Sequence, residues 1–278
     1  MILSINQKYW LTRYLIVLGG YWLLFEPIGL FNDKVQDFGW FGFFGLNIIS
    51  LITTLIFFRP NKNISITLPE SDTKINIKVS NILEQEGSII IGTNDTFDTE
   101  LGDIIHPNSL QGQLLSVIYR SNQTALDNNL NTSLENISSE LDSSKEFGKL
   151  YRYPIGTIAC IEKNNNRYFL TAFNKMLSNE TRVTTDISTF HTSLANCWKE
   201  IRNKGQHENV HIPVIGTKFA RSGLENHIVI QLIIMSFIIA NKQENVSPSL
   251  TVHIHKSDVN DINFIALNNW LDTLIRKS

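Results

Sequence analysis

The sequence predicts an α/β protein, a three-layer α/β/α sandwich on a mixed sheet, preceded by a transmembrane helical hairpin. Three observations carry this. Residues 38–58 hold no charged side chain. Beyond them, short β-branched runs such as SIII (Ser88–Ile91) alternate with segments of helical periodicity. The resulting order, β-β-β-α-α-β-β-α-β-α-β-α, places helices on both faces of one sheet.

Residues 1–60 are expected to form a two-span membrane region and residues 61–278 a second domain. Phe38–Phe58 would span roughly 31 Å as a helix, matching the ~30 Å hydrocarbon core. Ahead of it, Tyr14–Phe25 is apolar until Glu26-Pro27, and Tyr9, Trp10, Tyr21 and Trp22 suit an interfacial belt. A signal peptide is the competing reading of residues 1–25, but no small-residue cleavage site follows Lys8 and Arg13. Lys8 and Arg13 precede the first span, and Arg59, Lys62, Lys74 and Lys78 follow the second. The turn between, with Glu26, Asp33, Lys34 and Asp37, has one cation, so both termini and the large domain are expected in the cytoplasm. Gly39, Gly42 and Gly45 recur every third residue and suit either packing of the two spans or self-association.

The second domain starts with strands at Ile64–Leu68 and Lys74–Val79, the latter alternating polar and apolar as a half-buried strand does. Ser88–Ile91 is apolar enough to be a central strand. Asn108 and Ser109 are N-cap candidates for a helix with Leu110, Leu114, Leu115, Ile118 and Tyr119 on its buried side. Leu126, Leu130, Leu134, Ile137 and Leu141 mark an amphipathic helix, and Gly156–Asn174 a hairpin turning at Asn164–Asn166. A helix over Val183–Arg202, a strand over Val210–Ile215 and an apolar helix over Ile228–Ala240 follow. The last helix is too short to span a membrane and is expected in the core. Leu250–His255 and Asn263–Ile275 supply the final strand and helix.

Composition excludes several functions. The net charge is -2 with no basic stripe, so nucleic acid is not an expected partner. Cys160 and Cys197 are too few and too unrelated for a disulfide framework or a zinc knuckle. His253 and His255 share one face of a strand, as a zinc pair does, but no third ligand has fitting spacing, so no metal is expected. No G-x-S-x-G or H-E-x-x-H motif is present.

Two loops follow strand ends, where ligands bind in such sheets. One is Gly92–Ile105. The other, Gly216–Gly223, joins a strand to a helix by a glycine turn, as anion sites do, yet lacks the Gly-Lys pair of a P-loop. An amide at Asn94 can both donate to and accept from a ribose hydroxyl. Gly216, Thr217, Lys218 and Arg221 offer backbone N–H, hydroxyl and cationic groups to phosphates, and Gly223 lets the chain turn into the next helix. Asp95 and Asp98 suit catalysis, metal ligation or the capping of turns.

IIIGTNDTFDT (Ile89–Thr99), SLQGQ (Ser109–Gln113), YPIGTI (Tyr153–Ile158) and IPVIGTKFARSGL (Ile212–Leu224) together resemble a macro domain. More narrowly they resemble the divergent branch fused to a two-helix membrane segment, the effectors of bacterial Thoeris anti-phage systems. The resemblance implies a macro-domain-like fold that binds ADP-ribose or a derivative, including an amino-acid conjugate. It implies that Asn94 faces the distal ribose and that Gly216–Gly223 wraps the diphosphate. The base-side acid of the family corresponds to Asn81, within Ser80-Asn81-Ile82. The implied ligand-binding set is Asn81, Ile82, Thr93, Asn94, Asp95, Phe97, Gln111, Gly216, Thr217, Lys218, Phe219, Arg221 and Gly223, with no catalytic residue and no cofactor. TFDTELGD stands where hydrolytic members keep a glycine-rich loop, which argues against hydrolysis. The implied partners are a nucleotide signal from a TIR-domain enzyme, the lipid bilayer of the bacterial inner membrane, and further copies of the chain on activation. The implied outcome is membrane disruption and abortive infection. The alternatives are an ADP-ribosyl hydrolase or deacylase and a passive membrane-tethered ADP-ribose reader.

Overall fold

Two helices open the described chain. In the computed structural model the described residues are 5–31, 39–69, 71–180, 183–184, 187–215 and 225–276. Contacts divide the chain into two compact units, Met1–Lys62 with Asn263–Trp270, and Asn63–Ile262 with Leu271–Ser278.

In the first unit, α1 (Ile5–Phe31) packs along α2 (Gly39–Phe57). The expected break at Glu26-Pro27 does not end α1, which continues to Phe31 with Pro27 inside it. Proline there has no N–H for the Leu23 carbonyl, so α1 runs past it one intrahelical hydrogen bond short. Among the described residues, α2 is the one helix long and apolar enough to cross a membrane. The expectation of two spans is therefore met by composition in α2 alone, since Lys8, Arg13 and Glu26 dilute α1. Polar side chains line the contact between the helices. Tyr14 donates to Asn47 Oδ1, Tyr21 shares a 2.9 Å hydrogen bond with Thr53, and Tyr9 donates to the Phe58 carbonyl at 3.2 Å. Ser50 and Thr54 are both 0% exposed, each bonding a carbonyl one turn back. A Cβ at Gly45 would meet nothing within 4 Å, so this glycine does not serve a close approach between α1 and α2.

The second unit is a mixed sheet with the spatial order β1-β2-β10-β9-β3-β7-β6. Its strands are β1 (Ile64–Thr67), β2 (Lys74–Val79), β3 (Ser88–Asn94), β6 (Ile158–Lys163), β7 (Asn166–Met176), β9 (Val210–Pro213) and β10 (Ser249–Ile254). The five strands from β2 to β7 run parallel, and β1 and β6 pair antiparallel at the two edges. A short β8 (Val183–Thr184) pairs with β7, and β4 (Glu140–Leu141) pairs with β5 (Tyr151–Arg152) apart from the sheet.

Helices cover both faces, as expected of a three-layer sandwich. On one face lie α3 (Leu110–Gln113), which continues as a π turn through Ile118, and α4 (Gln123–Leu134). Leu114, Leu115, Leu126, Leu130 and Leu134 pack there on Ile89, Ile91, Tyr168 and Leu170. On the other face lie α5 (Ile187–Lys204) and α6 (Asn226–Gln243), joined by a Trp198–Phe237 edge contact. Phe190 of α5 meets Phe173 of β7. Ile89, Ile90 and Ile91 are fully buried because β3 sits between both layers, which is why its sequence is a continuous apolar run. Three expected elements shift. Leu141 leaves the amphipathic helix and stands exposed in β4, α5 begins at Ile187 with Val183 in a strand, and Met235 and Ile239 of α6 are exposed. The chain ends in α7 (Phe264–Arg276).

Candidate functional site

The topology itself marks a crevice. From β3 the chain moves to β7 on one side, and from β9 to β10 on the other. Ligands in open α/β sheets bind where connections diverge in this way, beyond the C-terminal strand ends. The β3–β9 ladder is short, pairing only Ser88 with Val210 and Ile89 with His211, whereas β3 stays paired with β7 as far as Asn94–Asn174. Both loops singled out in the sequence leave from this point: one follows Asn94 and the other follows Ile215. A Cβ at Gly92 would meet the Ile215 side chain at 3.4 Å, so the end of β3 and the residue that opens the second loop are neighbours.

The loop after β3 folds into a dense polar network. Asn94 Nδ2 donates to Asp98 Oδ2 at 2.8 Å, and Asn94 Oδ1 accepts the Asp98 N–H at 3.1 Å. Asp98 is 1% exposed and also accepts from Thr96 (2.6 Å), the Lys149 N–H (2.6 Å) and Lys145 Nζ (3.1 Å). The Lys145 side chain is itself 0% exposed. Burying such a pair is tolerable only because each remaining proton finds an acceptor, here the Lys149 carbonyl at 2.7 Å. Gly148 has φ +72, and a Cβ there would lie 2.2 Å from Asp98 Oδ1, so the backbone approach needs glycine twice over.

Asp95 is tied down separately. It accepts the Met176 N–H at 2.9 Å and Arg152 Nη1 at 2.8 Å. Arg152 Nε also reaches Asp142 at 2.7 Å. Hydrogen bonds from Ser144, Arg152 and Ser178 hold the Asp142 carboxyl well below the usual carboxylate range. Phe97, at φ +49, is buried edge-on to Tyr153. Gln111 Nε2 donates to the Asp98 carbonyl at 2.5 Å, and a side chain at Gly112 would strike the His106 carbonyl at 2.5 Å. These contacts give the SLQGQ stretch a local reason for its Gln and Gly.

Asn94, Asp95, Phe97 and Gln111 thus belong to one cluster. Within it both aspartates act as acceptors in turns and ion pairs, the capping option for those residues. Thr93, one residue before the end of β3, has its hydroxyl oxygen unpartnered among the described residues, and Asn174 Oδ1 on the neighbouring β7 is likewise unpartnered. Asn81 and Ile82 stand apart from the cluster, on the turn after β2. Asn81 caps a short 3-10 turn (Ile82–Glu84), accepting the Leu83 N–H at 3.1 Å and donating to Glu84 at 3.0 Å, and Ile82 is buried. Gly216, Thr217, Lys218, Phe219, Arg221 and Gly223 lie outside the described residues. A cavity of about 520 Å³ opens between α5 and α6, lined by Ile187, Phe190, His191, Leu194 and Leu232 among others, and by none of the residues assigned from sequence.

Sequence reasoning missed two sets of residues. Lys145, Lys149 and Arg152 come from a stretch to which the sequence reading assigns no role, and they reach Asp98, Asp127 and Asp95 beside the β4–β5 pair. His211 has no place in the sequence reading of His253, yet their rings are hydrogen-bonded at 2.9 Å across β9 and β10. The signal was there: each histidine interrupts an apolar strand run, where a polar ring must find a buried partner. His255, read as sharing a strand face with His253, instead caps the 3-10 turn after β10 and is exposed.

Comparison with known proteins places the fold in a family. The family model "Thoeris protein ThsA, Macro domain" matches residues 75–255. The Thoeris protein ThsA of Bacillus amyloliquefaciens (strain Y2) is 26% identical over 239 residues, covering 81% of this chain and 76% of that protein. A mutant of the Oceanobacillus iheyensis macrodomain superposes with a TM-score of 0.51 at 15% identity, over 78% of this chain and 99% of that one. The same macrodomain with ADP superposes with a TM-score of 0.51, again at 15% identity, over 78% of this chain and 98% of that one. These two likenesses show the macro fold alone. With the family model matching more than half of its length, the chain belongs to the Thoeris ThsA macro-domain family.

Proposed function

We propose that this chain is a non-enzymatic receptor and effector of anti-phage defence. Its macro domain takes an ADP-ribose-derived nucleotide made by a TIR-domain partner, and its N-terminal helices act on the cell membrane. The observation that carries the binding half is the crevice at the switch point. There β3 and β9 part, and near the same end of β3 the buried Thr93 hydroxyl, and the Asn174 amide oxygen on the β7 side, have no partner among the described residues. Unsatisfied groups at a strand end are what a polar ligand serves. The loop after Ile215 would supply the diphosphate contacts and the turn at Asn81 the base-side contacts.

The state of the carboxylates favours recognition over turnover. A general base needs a free carboxylate within reach of substrate. Asp95 and Asp98 are instead bonded to Arg152 and Lys145 and to backbone N–H groups. The membrane half draws support from the helix pair, which hides Ser50 and Thr54 and shows Phe41 at 89% exposure. Lipid favours that arrangement and water opposes it. Binding shifts assembly only if the ligand prefers the assembled state.

The experiment is calorimetry and mass measurement on the detergent-solubilised full chain with ADP-ribose and its derivatives. Binding without product release, accompanied by a larger oligomer, is the expected result. Release of free ADP-ribose from an O-acyl or protein-linked substrate would establish the hydrolase instead. Binding with unchanged mass would remove the assembly step.

A further inference from the structure

Three strands bring one hydroxyl and two imidazoles into a single chain of hydrogen bonds. Ser80 follows β2, His253 lies in β10 and His211 in β9. Ser80 Oγ is 2.9 Å from His253 Nδ1, and His253 Nε2 is 2.9 Å from His211 Nδ1. His211 Nε2 is 3.1 Å from the Glu86 carbonyl oxygen. His253 is 3% exposed and His211 7%.

The carbonyl fixes every proton of the neutral chain. It only accepts, so His211 carries its hydrogen on Nε2. His211 Nδ1 then accepts, so His253 also carries Nε2–H. His253 Nδ1 accepts in turn, and Ser80 donates its hydroxyl hydrogen. Both rings adopt one tautomer and all three bonds point the same way.

The two ends of this chain are the two ends of the turn that holds Asn81 and Ile82. We infer that His211 and His253 are positioning residues, whose neutral relay fixes the Ser80–Glu86 turn on the sheet and so sets the base-side wall of the nucleotide site. The second clause rests on the nucleotide reading proposed above. The first does not.

The surroundings keep the relay neutral. Burial first, then the neighbouring ring and the Lys78 cation, push His253 down to about 3, and burial also lowers His211. Lys78 on β2 is the cation that acts on both rings. On the turn, Glu84 spends its carboxylate on Asn81, and Glu86 presents its carbonyl. Apart from the two histidines, β9 and β10 contain no titratable side chain. So weak a base does not activate Ser80 as a nucleophile at neutral pH, and the chain is a strut rather than a catalytic triad.

The test uses the full chain in detergent, labelled with ¹⁵N-histidine. At pH 7.5 both rings are expected as neutral Nε2–H tautomers. An Nδ1–H tautomer or an imidazolium at either ring overturns the relay. Ser80→Ala removes one end bond, and one hydrogen bond corresponds to about a fivefold effect. Amide exchange at Leu83 and Gln85 is expected about fivefold faster in this variant, with the His253 Nδ1 resonance shifted. Ser80→Thr keeps the hydroxyl and restores both readouts. Unchanged exchange in Ser80→Ala overturns the positioning role. With ADP-ribose as probe, about fivefold weaker binding by Ser80→Ala supports the base-side assignment, and equal binding overturns it. A wild-type chain that binds no such nucleotide, yet shows the tautomers and the exchange effect, sinks the nucleotide reading and leaves the strut standing.

Discussion

The helix pair and the sheet domain sort the same residue types in opposite directions. In the helix pair Ser50 and Thr54 are buried and Asn47 takes the Tyr14 hydroxyl, while Trp40, Phe41 and Phe57 face outward. In the sheet domain Ile89, Phe169 and Trp198 are buried, and polar groups enter the interior only in bonded sets such as Asp98 with Lys145. The difference teaches what each region treats as its solvent. A water-facing domain gains by hiding apolar area, roughly 25 cal/mol per Å². On the membrane reading proposed above, a lipid-facing helix pair gains nothing that way, and its helices would be joined by packing and by hydrogen bonds that lipid cannot replace.

The comparison breaks most violently in the domain at Asp98. Asp98→Ala leaves the buried Lys145 ammonium without its carboxylate, which costs about 3–5 kcal/mol. A urea titration of the full chain in detergent should show an unfolding free energy lower by that amount, read as a lower midpoint at unchanged slope. Replacing both partners by apolar residues, Asp98→Leu with Lys145→Met, should recover only the part due to the buried charge, because the Asn94, Thr96 and Lys149 donors that Asp98 serves still lose their acceptor. The matched test in the other region is Ile52→Asp on the outer side of α2. If α2 spans a membrane as proposed, a carboxylate near its centre costs about 2.5–3.5 kcal/mol of insertion, and the variant should move from the membrane fraction to the aggregated or soluble fraction. Val117→Asp, at an equally exposed apolar position of the domain, should change stability by no more than about 0.5 kcal/mol. If Ile52→Asp proves as harmless as Val117→Asp, the two regions share one solvent.

Most of the sheet domain was legible because its strands are short β-branched runs and its helices keep their period. SIII had to be central, and the Asn164-Asn165 turn had to close a hairpin, since both residues adopt positive φ at little cost. What the chain order could not give was lateral neighbourhood. β10 lies between β2 and β9, and β9 between β10 and β3, so Ser80, His253 and His211 meet across sequence gaps of 173 and 42 residues. Lys145 and Lys149 were illegible for a different reason. Their stretch is Ser-, Glu- and Lys-rich, as exposed loops are, and only the acceptors waiting on Asp98 and Asp127 draw it inward. The site assignments around Asn94 were findable because strand ends and Asn-Asp turns carry local chemistry. The role of each side chain was not, because an aspartate that caps a turn and one that meets a ligand look alike in sequence.

Acid separates the two regions further. The folded domain holds His253 at about 3 and keeps His211 below its ordinary value, whereas the unfolded chain protonates both near 6.5. The unfolded state therefore binds more protons, and stability is complete above about pH 6.5 and falls as pH drops toward 3. For His253 alone the loss between pH 6.5 and 5.5 is about 1 kcal/mol. The helix pair contains no histidine and should not respond in this window. Asp142, whose folded carboxyl is depressed, contributes stability that is lost only at lower pH, below its ordinary range. Urea midpoints measured between pH 7.5 and 5.5 should therefore fall in the wild type and stay flatter in a His211→Gln, His253→Gln double variant.

The smallest effect sharpens the comparison most. Tyr21→Phe removes the hydroxyl that bonds Thr53 across the helix pair and changes little else. In a water-exposed setting the freed Thr53 hydroxyl would turn to solvent and the loss would be near zero. Inside lipid it has only its own helix to bond, and such interhelical bonds average about 0.6 kcal/mol. Thr53→Val in the Tyr21→Phe background removes the orphaned group, so the double variant should recover part of the loss. The measurement is helix-pair stability in detergent against the same variants in bilayer nanodiscs. A cost that is larger in nanodiscs than in detergent, and that the double variant reduces, would mark the helix contact as lipid-facing, since a contact bathed in water has no reason to distinguish the two.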